Sequence, residues 1–127
     1  MNDLIKAQQR YREEAIQSAS PERLVTMLYD RLLLDIDRGI AAQERGDWQA
    51  ANEQLQHAQK IVTELSTSLS SDWAGAADLR ALYDYVTRTL VGANVARDVN
   101  RTRECRDLIA PLRDAWHEAA GALAGAA

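Results

Sequence analysis

Phenylalanine is absent from these 127 residues, cysteine occurs once, proline twice and glycine six times. The lone cysteine, Cys105, can close no disulfide within the chain and supplies too few thiolates for a zinc site; it fits a reducing compartment. Turn breakers are scarce beside abundant Ala, Leu, Arg, Asp, Glu and Gln, which favours helices over strands. No apolar run reaches the roughly 18 to 20 residues of a bilayer span, and Met1-Asn2-Asp3 opens no basic-then-apolar leader. The expectation is a cytosolic protein with no membrane insertion. The net charge of -4 is built from interleaved acids and bases, so no single-sign face invites nucleic acid or anionic lipid.

What is present is helical periodicity. Ser20-Pro21-Glu22 is a helix start: a serine oxygen for an orphan N–H, a proline with a preset first-turn φ, and a carboxylate facing the dipole. The helix it opens can run about 37 Å to Arg45 and stop at Gly46, with Asp47 capping the next. That next helix carries Leu55, Ala58, Val62, Leu65 and Leu69 in steps of three and four, and Ser70-Ser71-Asp72 breaks it. A third long helix is expected from about Ala76 to Asn100, with Leu79, Leu82, Tyr83, Val86, Leu90 and Ala93 on one face. A fourth starts near Arg103 and repeats the pattern in Cys105, Leu108, Leu112, Ala115 and Trp116, with a kink expected at Pro111.

Residues 1–19 read as a short, weakly held helix around Leu4, Ile5, Tyr11, Ala15 and Ile16. Residues 119–127 read as a flexible Gly/Ala tail with too little apolar surface to hold itself down. The expected fold is all-α: an antiparallel up-and-down helical bundle over residues 20–118, of four main helices plus that N-terminal segment.

Two helices carry more apolar surface than one core face needs. The first long helix buries Leu24, Val25, Leu28, Tyr29, Leu32, Leu33, Ile36 and Ile40 and leaves Met27 and Leu34 on the opposite face. The third leaves Val91, Val95 and Val99, spaced by four. A second apolar stripe either buries another helix of the same chain or forms a groove for a partner helix.

Catalysis has no visible seat. No Gly-rich phosphate loop, nucleophile elbow, CxxC, HExxH or Glu-x-x-His occurs, so no catalytic, cofactor or metal residues are assigned. Asp35 and Asp37 lie on different sides of their helix, and the arginines at 97, 101, 103 and 106 alternate with acids. His57-Ala58-Gln59-Lys60 faintly resembles the phosphorylated helix of histidine phosphotransfer bundles, which makes His57 the acceptor in an alternative reading. A self-associating structural bundle is another.

Several landmarks occur together at matching intervals: Tyr11, Ser20-Pro21-Glu22-Arg23-Leu24-Val25, Leu28-Tyr29-Asp30, Asn52-Glu53, Ala58-Gln59-Lys60-Ile61, Glu64-Leu65, Ser68-Leu69, Leu82-Tyr83-Asp84-Tyr85, Ala93-Asn94 and Ala115-Trp116. From about Tyr11 to Trp116 the chain resembles the FliS family of flagellin export chaperones. The resemblance implies a helical bundle in the bacterial cytosol that binds the disordered C-terminal segment of flagellin. It implies that the bound segment wraps the bundle, that premature filament assembly is blocked, and that the subunit stays ready for the flagellar type III export apparatus, without a cofactor. On that basis the groove is expected along Met27, Leu34, Ile61, Val91 and Val95, with Asn52 and Asn94 as polar registers and Tyr11 as a lid. The sequence departs from the family pattern at Arg31, where Gly is common, at His57, where Lys is frequent, and at Pro111 and the Gly/Ala tail.

Overall fold

A computed structural model describes the backbone of residues 2–18 and 20–126, and the side chains of 2–10 and 20–123. Among the described residues five helices follow one another: α1 Asn2–Ser18, α2 Pro21–Glu44, α3 Trp48–Ser68, α4 Ala76–Val95 and α5 Val99–Ala126. Among the described residues α2 packs against α3 and α5, and α4 packs against the same two, so α2 and α4 sit on the diagonal of a four-helix bundle. The side chains of α1 from Asn2 to Arg10 are all exposed, consistent with a helix too poor in apolar residues to bury a face.

Local chemistry sets the ends of α2. The Oγ of Ser20 accepts the N–H of Arg23 at 3.2 Å, and Pro21 occupies the first turn. At the other end Gly46 takes φ 73°, which lets its N–H reach the carbonyl of Gln43 and that of Asp47 reach Ala42 at 2.9 Å. Asp47 then accepts the N–H of Ala50 at 3.1 Å and starts α3.

The third expected helix ends early. Instead of continuing to Asn100, α4 stops at Val95, and Arg97 takes the left-handed conformation at φ 52°. The N–H of Asp98 returns to Ala93 at 2.9 Å, the same closure that Gly46 allows in α2, and the carboxylate of Asp98 accepts the N–H of Asn100 to open α5. No glycine marks this turn, so the apolar periodicity ran across it. Val99 belongs to α5 and not to the Val91–Val95 stripe. Helix α5 passes through Pro111 and remains helical to Ala126, into the stretch expected to fray.

The core draws on all four bundle helices. Tyr29, Leu32 and Ile36 meet Leu55, Ala58 and Val62, with Val86 and Leu90 from α4 and Cys105 and Ile109 from α5. The α5 face is turned from the expected one: Ile109 is fully buried, Leu108, Leu112 and Trp116 are half-buried, and Ala115 is exposed.

Among the described residues four polar side chains are buried with this apolar set: Thr26, Asp35, Gln43 and Thr102. Gln43 donates to the carbonyl of Ala93 at 3.2 Å and accepts from Thr102 Oγ1 at 2.7 Å, joining α2, α4 and α5. No buried side-chain nitrogen or oxygen among the described residues lacks a partner, which spares the fold the penalty of about 1–3 kcal/mol per orphaned group.

Acids seven residues apart on α2 meet cations on α5. Arg113 reaches Asp30 at 2.7 Å, Arg106 reaches Asp37 at 2.7 Å and Arg103 reaches Glu44 at 2.6 Å. Each pair is half-exposed and contributes at most about 1 kcal/mol. Together they favour the observed register of α5 on α2.

Candidate functional site

Two surface clefts take shape on the diagonal helices. The first lies at the start of α2, where its outer wall faces the end of α3: Pro21, Leu24, Val25, Met27 and Leu28 line it with Arg31, Glu64 and Ser68, in an open volume of about 700 Å³. Its floor is apolar because α2 presents hydrophobic residues over more of its circumference than the core absorbs. Leu24, Val25 and Leu28, expected as core, are half-buried and share the cleft with Met27. The breadth of the apolar arc was the signal that could have found them.

The second cleft lies at the opposite end, between the start of α3 and the end of α4. Trp48, Asn52, Asn94, Val95 and Arg97 line it, enclosing about 290 Å³. Asn94 Nδ2 donates to Asn52 Oδ1 at 2.7 Å, and the same oxygen accepts from Gln56 at 3.2 Å. The Arg97 guanidinium stands 5.0 Å over the Trp48 ring, a position set by the left-handed turn that ends α4. Trp48 and Arg97 escaped the sequence reading because their meeting depends on that turn.

The residues picked from sequence thus separate. Asn52, Asn94 and Val95 come together, with Val91 one turn away; Val95 is 82% exposed and Val91 43%. Met27 lines the other cleft. Leu34, 41% exposed, lies further along α2 and outside it. Ile61 is only 5% exposed and belongs to the core, because α3 faces α2 on one side and α4 on the other and its apolar edge is covered by both. The side chain of Tyr11 lies outside the described residues.

A smaller cavity of about 190 Å³ adjoins the first cleft, sharing Val25 and Ser68 with it and adding Leu69, Trp73 and Trp116. Its back wall is Tyr83, whose hydroxyl is bonded to that of Tyr29. Burial, reinforced by that bond, holds the Tyr83 phenol far above its usual range.

Several ionisable side chains are bound up in the fold. Asp35 is fully buried and accepts from Arg31 Nε at 2.9 Å and from His57 Nδ1. His57 is therefore a partner of a buried carboxylate, which ties up one ring nitrogen. His117 lies 2.7 Å from Asp30, beside Arg113. Partial burial of Asp30 opposes ionisation, but the bonds from Arg113 and His117 outweigh it and hold the carboxyl below its usual range. Burial pushes the Cys105 thiol up to about 12, which leaves it an unreactive core residue.

The family model described as Flagellar protein FliS matches residues 4–123. The chain belongs to the FliS family. A curated relative from Bacillus subtilis, named a flagellar secretion chaperone, is 35% identical over 109 residues, covering 86% of this chain and 82% of that one. One of the same name from Salmonella typhimurium is 34% identical, covering 84% and 81%. A solved structure described as a flagellar chaperone from bacteria superposes with a TM-score of 0.73, over 92% of this chain and 97% of that one at 22% identity, which supports the bundle fold. FliS is a chaperone family and not an enzyme family, in accord with the missing catalytic motifs. The helices contain no segment long and apolar enough to cross a membrane among the described residues.

Proposed function

We propose that the protein is a cytosolic flagellar secretion chaperone. In this reading it binds the disordered C-terminal region of flagellin, prevents premature polymerisation and keeps the subunit competent for type III export. One observation carries the reading: apolar side chains line a cleft, half-buried, at the start of α2 and stay exposed at the end of α4, at opposite ends of the bundle with α3 running between them. An isolated exposed residue is ordinary, whereas apolar clefts are the usual seats of partner helices.

The separation suits a long, flexible partner. From Asn52 in one cleft to Ser68 in the other is about 24 Å along α3, which an extended chain covers in roughly seven or eight residues. A disordered segment gives up about 2–5 kcal/mol in ordering, and each Leu-sized anchor returns about 1.5–3 kcal/mol. About five anchors are then needed for micromolar binding. The first cleft is lined by five apolar residues, four of them half-buried and so short of a full anchor each, and engaging the second cleft makes up the difference.

The test is a titration of flagellin C-terminal peptide against the Met27→Asp/Val95→Asp variant. Binding should be abolished while the helical circular dichroism signal is kept, since Val95 is exposed and Met27 is half-buried. Undiminished binding by a folded double variant would refute the reading.

A further inference from the structure

The cleft on α2 has a charge on each wall, Arg31 from α2 and Glu64 from α3, around an apolar floor. Arg31 is not a loose surface arginine. Its Nε is held at 2.9 Å by Asp35, and Asp35 is itself fully buried and bonded to His57 across the helix interface. One edge of the guanidinium is thereby fixed to the interior while the side chain stays half-exposed at the cleft. Among the described residues its two terminal nitrogens have no partner.

We propose that Arg31 is a specificity-determining residue of this cleft: a preset fork that takes an acidic side chain on the edge of the partner's apolar stripe. The inference rests on the docking of a flagellin segment here. A guanidinium carries donors only, in a planar fork that matches a carboxylate, and the donors left by Asp35 are those of its outer end. Because Asp35 already fixes the side chain, little rotamer freedom is lost when the partner arrives. Glu64 repels an acid on the opposite wall, so the pair also sets which edge of the partner faces α2. Like-charge placement of this sort excludes the reversed orientation.

The experiment is a set of calorimetric titrations with flagellin C-terminal peptide, each protein variant first checked by circular dichroism. Leu24→Asp, on the cleft floor, tests docking itself and should abolish binding. Arg31→Gln should weaken binding about tenfold or more, the range of a lost charged hydrogen bond. The double variant Arg31→Gln/Asp35→Asn removes the buried charge together with its arginine partner and leaves an amide for His57 to bond, and it should bind as weakly as Arg31→Gln. A peptide with its acids changed to amides should lose the same factor on the wild-type protein and nothing further on Arg31→Gln. Wild-type affinity in Leu24→Asp would overturn the docking and this proposal with it. If Leu24→Asp abolishes binding but Arg31→Gln does not weaken it, or if the double variant regains wild-type affinity, the proposal alone fails.

Discussion

The hydroxyls of Tyr29 and Tyr83 meet 2.5 Å apart inside the bundle, joining the two helices that do not pack directly side by side. Tyr29 also stacks on Trp116, with ring centroids 6.5 Å apart and planes at 25°. Both phenols are almost wholly buried, at 0% and 2% exposure. The bond therefore satisfies two polar groups that would otherwise be stranded in an apolar core.

Removing one partner should hurt more than removing both. Tyr83→Phe leaves the Tyr29 hydroxyl without its cross-core partner and should cost about 1–3 kcal/mol in urea denaturation, whereas Tyr29→Phe/Tyr83→Phe should lie within about 1 kcal/mol of wild type. A double variant weaker than the sum of the two singles would contradict this account.

The same burial predicts a loss of stability in alkali. Burial raises the Tyr29, Tyr83 and Cys105 values in the folded protein, while the unfolded chain titrates near 10.0 for tyrosine and 9.0 for cysteine. Above those values the folded state binds more protons than the unfolded one, so stability is full below pH 9.0 and falls as pH rises. For Cys105 the window closes near 12, and Tyr83 continues to weaken the fold beyond it. Urea midpoints measured through this range should drop less steeply in Tyr29→Phe/Tyr83→Phe than in wild type.

The cap on α2 should affect stability without touching recognition. Ser20→Ala removes the acceptor for the Arg23 N–H and should lower stability by about 1 kcal/mol. Peptide affinity measured well below the melting temperature should stay unchanged, because the apolar floor of the cleft is intact.

Among the described residues two occupy the left-handed conformation, Gly46 and Arg97, and substitutions at them should differ in cost. An added Cβ at Gly46 meets nothing within 4 Å, so the cost of Gly46→Ala is the backbone strain alone, about 1–2 kcal/mol. Arg97→Gly relieves a similar strain but gives up the cation–π contact with Trp48, worth about 0.5–1 kcal/mol at an exposed site. Its net effect on the denaturation midpoint should be small.

Legibility followed locality. Ser20-Pro21 and Gly46-Asp47 act within a few bonds of where they sit, so the ends of α2 and the start of α3 could be read directly, and the structure has them there. The faces of α3 and α4 were legible for the same reason, since helical periodicity is a property of neighbouring residues. Arg97 was not legible: an arginine carries no local signal for the left-handed conformation, and its contact with Trp48 joins positions far apart in the chain.

The sequence by itself determined the helical class, the bundle's length scale, the absence of catalytic motifs and the surplus of apolar residues on α2 and α4. Only the tertiary structure decided how that surplus is shared out. It covered Ile61 with two neighbouring helices, left Leu24 and Val95 at the surface, and drew Asp35 inside to hold Arg31. The physical reason is that periodicity fixes a residue's angle on its own helix, while exposure depends on which other helices stand at that angle.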